Sequence, residues 1–459
     1  MFDESAPGIL GDMSDPDAAR FAPPCGPIRG WLDGQVVRAT GIPYARARRF
    51  ALPDAVPDHA EELAATAWSP ASPQPPAPSL EKLLGAAAIG EQTMDEDCQN
   101  LSVTVPLGTA PDAALPVMVW VHGGSYVTGA GDAPIHDPAR LVAEQKVVVV
   151  AVTYRLGLLG FLGSAEGRPA NLGLHDLRAA FAWVHRNIRA FGGDPARVTA
   201  FGESAGGDAI AQLMASPDAA SLFSRAIIQS APLGITRGRA AMSAAMVEAA
   251  TGLDAETPLD ELVARQPAVA AAGAGHGLLS AMPFGPQYGL DPLPTEHRVD
   301  AAWDAAAGIP VLIGNNANEA RMFLPELPGI GAAIRIPGIG RLVRWAVDRA
   351  LTRRIYGEPA LRFAARHAAA GGEAWNYVID WHAPGNGYRA AHTVDLPLLL
   401  GTEASIADSQ LLRGASWASL HEAGRGVRQA WADFARGTLA DQGELPGVLR
   451  WRRADRAVS

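Results

Sequence analysis

Val198-Thr199-Ala200-Phe201-Gly202-Glu203-Ser204-Ala205-Gly206-Gly207 is the stretch on which the fold of this chain turns. A short apolar strand signal runs into a serine flanked by small residues. From Ala205 onward, Ala209, Ile210, Leu213 and Met214 recur at helical spacing. A strand that passes through a tight turn directly into a helix lifts the central side chain above the sheet, and small neighbours let the backbone approach itself. The helix N-terminus behind Ser204 favours negative charge developing in front of it. The pentapeptide Gly202 to Gly206 is short and weakly specific by itself. Its weight comes from its setting between a strand and a helix.

Working outward, the same texture repeats. Pro116 to Val121 is a short apolar run ending in His122-Gly123-Gly124-Ser125, and Lys146 to Tyr154 is another, rich in valine. Runs of this length suit strands buried on both faces, as in a parallel sheet. Asn171 to Phe191 places Leu174, Leu177, Phe181, Val184 and Ile188 at spacings of three and four, which predicts a helix stopped by Gly192-Gly193-Asp194-Pro195. Further strands are expected at Ala226 to Gln229, Ile309 to Ile313 and Trp375 to Ile379, and a small hairpin is expected about Asp33-Gly34. Strands alternating with helices imply an α/β fold with a central, mostly parallel sheet. Residues 1–25 read as a tail and 26–459 as a single domain. Insertions at about 233–290 and 325–365, rich in Ala, Gly and Pro, read as caps above the sheet.

Composition narrows the class. With 459 residues, 48% of them apolar and 19% charged, the chain has ample material for a packed core. A formal charge of −10, with arginines scattered and no long basic run, argues against nucleic acid or an anionic membrane as the main partner. Only Cys25 and Cys98 occur, and neither C-x-x-C nor H-E-x-x-H is present, so no metal site is indicated. The segment Met1 to Phe21 lacks the basic start and apolar run of a secretory leader, and Val147 to Val152 is too short to span a bilayer. A cytoplasmic location is the expectation, and the sequon Asn100-Leu101-Ser102 then has no consequence.

A serine hydroxyl is a poor nucleophile without a base, and attack on a carbonyl needs donors for the oxyanion. The loop His122-Gly123-Gly124-Ser125, at the end of an earlier strand, is suited to present backbone N–H groups beside the serine turn. The base is sought among the later histidines. His367 and His421 lie in helical stretches and His297 precedes the strand Ile309 to Ile313, which leaves His382 and His392 in contention.

The chain resembles the type-B carboxylesterase/cholinesterase-like family of the α/β-hydrolase fold. The resemblance is carried by Gly41 to Ala45, Glu96-Asp97-Cys98, Asn100 to Val103, His122 to Tyr126, Tyr154 to Gly157 and Asn187 to Pro195. It continues through Phe201 to Gly207, Ile227 to Ser230, Gly314 to Glu319 and Trp431 to Arg436. The match is dense up to Ser230 and sparse afterwards. It implies Ser204 as nucleophile, His392 as base in the loop Ala391 to Pro397, and Glu319 as the acid, in the chain order Ser, acid, His. Asp304 and Glu326 are weaker candidates for the acid. The resemblance implies oxyanion donors on the backbone of Gly124, Ser125 and Ala205. It also implies structural pairs Arg155–Asp176 and Arg49–Glu96, and Ser230 as a hydrogen-bonding neighbour of the catalytic residues. Glu203 is expected to support the electrostatics beside Ser204 or, slightly preferred, to be a satisfied acid under the turn. Cys98 lacks the partner cysteine found in secreted relatives and is expected to be a free buried thiol.

The implied activity is hydrolysis of a small-molecule carboxylic ester through an acyl-enzyme, with no metal or organic cofactor. The alternatives are a hydrolase of amides, thioesters or carbamates, and a catalytically silent binding protein of the same fold. Substrate identity and oligomeric state are not legible.

Overall fold

Apolar runs too short for helices and bounded by turns leave little choice but to pair side by side. In the computed structural model, which describes residues 19–164, 167–327 and 329–455, they do so in one large mixed sheet. In chain order its strands are β1 (Trp31–Asp33), β2 (Val36–Pro43), β3 (Asn100–Pro106), β4 (Leu115–Val121), β5 (Val148–Val152) and β6 (Gly193–Glu203). They continue with β7 (Arg225–Gln229), β8 (Val311–Asn316), β9 (Ala374–Ile379), β10 (Gln442–Leu445) and β11 (Leu449–Arg453). The spatial order is β10-β11-β9-β8-β7-β6-β4-β5-β3-β2-β1. From β5 across to β9 every pairing is parallel, and the strands outside that block pair antiparallel.

The reason both faces of the central strands are apolar is visible in β4. Val117, Val119 and Val121 join one hydrophobic core. Met118 and Trp120, pointing the other way, join a second. Val148, Val150 and Val152 of β5 likewise alternate with Val149 and Ala151. Helices close both layers. The first core takes in α1 (Leu172–Asn187), through Leu174, Leu177, Phe181 and Val184, and α2 (Ala205–Leu213). The long C-terminal helix Trp417–Arg436 contributes Leu420, Val427, Trp431 and Phe434 to the second.

Two features depart from the sequence reading. Residues 19–25 are not tail: Ala19 and Cys25 are buried, Arg20–Phe21 pairs with Ile28–Arg29, and the Cys25 N–H donates to Asn187 Oδ1 at 3.0 Å. Residues 1–18 lie outside the described residues. Strand β6 also begins at Gly193, inside the Gly-Gly-Asp-Pro breaker, because a register shift between Gly193 and Val198 lets the segment stay paired with β4. The antiparallel edge strands β10 and β11 carry polar residues at alternate positions, a pattern too weak for the sequence to reveal.

The segments expected as insertions are largely helical connections between β7 and β8 and between β8 and β9. The first is tied down by Asn171, whose side-chain amide donates to the carbonyls of Gln287 (3.0 Å) and Leu290 (3.0 Å) and accepts from the Gln287 N–H at 2.7 Å. Arg155 and Asp176 form a buried bidentate pair at 2.8 and 2.7 Å, and Asp176 also accepts the Arg155 backbone N–H. Arg49 and Glu96 pair as well, half-buried. Cys25 and Cys98 are free buried thiols, and burial pushes that of Cys98 up to about 12.

Asp176→Ala strands the Arg155 guanidinium in the interior. It is expected to lower stability by about 3–5 kcal/mol, read as a shifted midpoint in urea denaturation.

Candidate active site

Ser204 sits where β6 ends and α2 begins, with φ 57° and ψ −124°. A residue other than glycine held there costs about 1–3 kcal/mol, so the surroundings must hold it. They do so from below and from the side. The Ser204 N–H donates to Gln229 O of β7 at 2.9 Å, and its carbonyl accepts from the Asp208 N–H at 2.9 Å. Gly206 passes so near β4 that a Cβ on it would lie 2.0 Å from Val121 O, which explains a glycine at that place.

The loop after β4 approaches from the other side. Gly124, Ser125 and Tyr126 have φ of 103°, 55° and 60°, a run of left-handed residues that turns the chain back so that Val127 and Thr128 both donate to Gly124 O. A Cβ on Gly124 would fall 2.0 Å from Thr128 O. Successive residues in this conformation aim their N–H groups the same way. Among the described residues, the N–H groups of Gly124, Ser125 and Ala205 have no hydrogen-bond partner. His122 is buried and desolvated, pushed down to about 3 and therefore neutral. Its carbonyl accepts from the Tyr154 hydroxyl at 2.7 Å.

Two residues given no role in the sequence reading lock this loop to α2. The buried Tyr126 hydroxyl donates to Asp208 Oδ2 at 2.6 Å, and Asp208 Oδ1 accepts from Gln212 at 2.9 Å. The available signal was a lone carboxylate on a helix otherwise made of small and apolar residues apart from Gln212.

His392 enters from the loop after β9. Its Nε2 lies 2.8 Å from Ser204 Oγ and its Nδ1 2.5 Å from Glu319 Oε2. Glu319 opens the 3-10 turn Glu319–Met322 just after β8 and is fully buried. Its other oxygen accepts from the Asn316 N–H at 2.6 Å. The three side chains thus form one hydrogen-bonded chain, drawn from the C-terminal ends of three parallel strands. Of the other histidines considered, His382 bonds the Asp380 carbonyl, His367 stacks on Phe363, His421 faces Glu144 and His297 is exposed. Asp304 pairs with Arg366, and Glu326 is exposed.

Glu203 is not the quietly satisfied acid that was preferred. Its Oε1 has no conventional hydrogen-bond partner and lies 3.2 Å from His392 Nε2. Burial drives the Glu203 carboxyl upward, with Asp395 and Glu319 adding to the effect. For His392 burial pulls the pKa down, but the Glu203 and Glu319 carboxylates outweigh it and hold the imidazole above its ordinary value. Behind them Asp395 accepts from Gln229 (2.7 Å) and Asn316 (3.0 Å), and Trp431 donates to Gln229 at 3.0 Å. The buried Ser230 hydroxyl has no hydrogen-bond partner among the described residues, so its expected bond near the site is not formed. Phe323 and Tyr356 flank the His392 ring with centroids at 5.4 and 5.3 Å, a contribution of the 319–357 segment that the sequence did not signal.

Such an arrangement can shuttle a proton between a hydroxyl and an imidazole while unpaired N–H groups wait beside the oxygen. The carboxylesterase family model matches residues 22–332. The chain is 38% identical to a probable N-octanoylanthranilate hydrolase of Rhodococcus erythropolis, covering 91% of this chain and 93% of that protein. It is 32% identical to the para-nitrobenzyl esterase of Bacillus subtilis, covering 90% and 88%. Among solved structures, a thermophilic PNB esterase superposes with a TM-score of 0.75 at 29% identity, covering 92% of each chain. A Geobacillus stearothermophilus carboxylesterase gives a TM-score of 0.73 at 26% identity, covering 93% and 92%. With that likeness running through sequence and fold alike, the chain belongs to the carboxylesterase family, has the α/β-hydrolase fold, and is a carboxylic-ester hydrolase.

Proposed function

We propose that the hydrolysis proceeds by two-step acyl transfer on Ser204. The observation that carries this reading is the continuous chain Ser204 Oγ, His392, Glu319 at 2.8 and 2.5 Å. His392, with its Nδ1 proton held by Glu319, takes the Ser204 proton on Nε2 as Oγ attacks the ester carbonyl. The oxyanion is bound by the N–H groups of Gly124, Ser125 and Ala205. Collapse of the tetrahedral species breaks the bond to the alcohol oxygen, which leaves with the proton from Nε2. Water then repeats the sequence on the acyl-enzyme and releases the acid. No step calls on a metal or organic cofactor, and the partner is a small-molecule ester.

A second reading is favoured by the relative named a probable N-octanoylanthranilate hydrolase, whose named substrate is an N-acyl compound. The same machinery cleaves an activated amide provided His392 protonates the departing nitrogen. Parallel rates on an octanoyl aryl ester and an N-octanoyl arylamide decide between an esterase and an enzyme serving both bonds.

Ser204→Ala is expected to lower kcat on short p-nitrophenyl esters by at least about a thousandfold. His392→Ala should fall comparably, while His382→Ala stays near the parent rate. Retained turnover in Ser204→Ala, or a larger loss in His382→Ala, overturns the assignment.

The pH profile follows from the carboxylates. Only neutral His392 accepts a proton, and the neighbouring negative charge favours its protonated form. Activity is therefore expected to rise with pH to a midpoint above the unperturbed histidine value of about 6.5. Glu203→Gln removes one of the two nearest charges and should move that midpoint downward in kcat/KM; an unmoved midpoint refutes the role given to Glu203.

A further inference from the structure

The segment that lends Phe323 and Tyr356 to His392 also has an outer surface, and that surface is unusual. Its principal helix, α3 (Gly340–Thr352), buries one side: Val343, Val347 and Leu351 pack against a small core of Ala320, Leu324 and Ile334. Asp348 on the same side bonds Arg321, Asn318 and Thr352, while Thr352 accepts from the Ala320 N–H. The helix is therefore fastened to the turn that carries Glu319.

Its opposite side is not polar. Leu342 and Trp345 on it are 64% and 55% exposed, and Ile336 and Ile339, in the turn just before the helix, extend the same three-residue spacing at 48% and 53%. With Phe323, they make up most of the exposed large apolar side chains among the described residues. Arginines surround this ridge. Residues 335–354 contain six arginines and a single acidic residue, Asp348, which is buried and already paired with Arg321. That is a formal +5 over residues 335–354 on a chain of net −10, with Arg353 paired to Glu358 just beyond it. Beside the ridge lies a cleft of about 540 Å³ lined by Arg321, Arg344, Arg413, Leu324 and Ile334. Among the described residues, Arg344 and Arg413 have no ion-pair partner there.

An apolar ridge with Trp at its end, bordered by arginines, matches the layered chemistry of an anionic lipid surface: acyl chains inside, negatively charged headgroups outside. A second copy of this chain fits less well, because a two-fold contact through the patch sets its arginines against their own equivalents. Among the described residues no helix is long and apolar enough to cross a membrane, so the contact is peripheral.

We propose that the 323–354 segment docks the protein on an anionic lipid–water interface, seating Ile336, Ile339, Leu342 and Trp345 among the acyl chains and the arginines on the headgroups. This presents amphiphilic esters to the site through Phe323, which is both partly exposed and packed on His392. The delivery of substrate rests on the reading of Ser204 and His392 given above; the docking does not. The net negative charge that argued against a membrane is an average over the chain, and the arginines of residues 335–354 make this segment a positive exception.

The test is flotation of the full-length protein with phosphatidylcholine vesicles, with and without phosphatidylglycerol, repeated on the Ser204→Ala protein. The vesicle-bound fraction is expected to rise about tenfold with phosphatidylglycerol and to fall again in high salt, equally in both proteins. Leu342→Ser with Trp345→Ser should abolish binding, and Arg341→Gln with Arg349→Gln should weaken it. Both pairs should leave turnover of p-nitrophenyl acetate at the parental level, which shows that they fold. Absence of binding to anionic vesicles overturns the proposal, as does binding indifferent to both pairs of substitutions. A dimer by light scattering that Trp345→Ser dissolves reassigns the ridge to contact between copies and likewise overturns it. Loss of ester turnover in Ser204→Ala with docking intact separates the two readings.

Discussion

Everything in the site depends on one backbone event, the passage from β6 into α2 through a single left-handed residue. The strand is held by parallel neighbours on both sides and the helix must pack back on the same sheet, so the turn has almost no room. Ser204 absorbs the strain in its own φ, and Gly206 lets the helix start pass against the carbonyl of Val121. The hydroxyl is thereby fixed in space before any catalytic partner is considered. The loop of Gly124 and Ser125 and the histidine loop after β9 have only to reach that fixed point. Both start from C-terminal ends of strands in the same parallel block, which is why they arrive on the same side.

Holding the loops there is an electrostatic matter. Glu203, Glu319 and Asp395 are buried together with His392 as the one cationic group between them. Carboxylates so placed destabilise one another, and burial disfavours each ionised form. The arrangement is tolerable because Glu319 and Asp395 are hydrogen-bonded by Asn316 and Gln229, while Glu203 faces the imidazole directly. In the proposed mechanism, the imidazolium formed on proton transfer is stabilised by the same charges that raise its pKa. On the other side, the bond from Tyr126 to Asp208 joins the loop bearing two unpaired N–H groups to the helix bearing the third. Nucleophile, acceptor and donors are thus parts of one buried polar network.

The connection between β8 and β9 has two duties. Inward, it provides Glu319, and it sets Phe323 and Tyr356 against the imidazole, where apolar rings exclude water from one side of the proton path. Tyr356 lies in the π-helical turn Arg353–Gly357, an irregularity that lets the chain change direction between two helices. Outward, the same connection presents an apolar ridge among arginines. Asp348 couples the two faces, since it secures α3 and reaches the acid-bearing turn.

The sequence alone determined the parallel core and the place of Ser204 between a strand and a helix, because both are local. A run such as Val147 to Val152 can be buried only as a two-sided strand, and the strand–serine–helix pattern needs no distant partner to be read. The loop pattern His122 to Ser125 also pointed to backbone donors there, while Ala205 as a donor, Glu319, and His392, 188 positions after Ser204, leaned on family resemblance. Tertiary structure decided what local pattern cannot carry. It turned Glu203 toward His392, left the Ser230 hydroxyl without a partner among the described residues, drew residues 19–25 into the fold and linked Tyr126 to Asp208 across 82 positions. Burial and charge depend on which surfaces meet, and in a chain folded around crossover connections those surfaces are far apart in sequence.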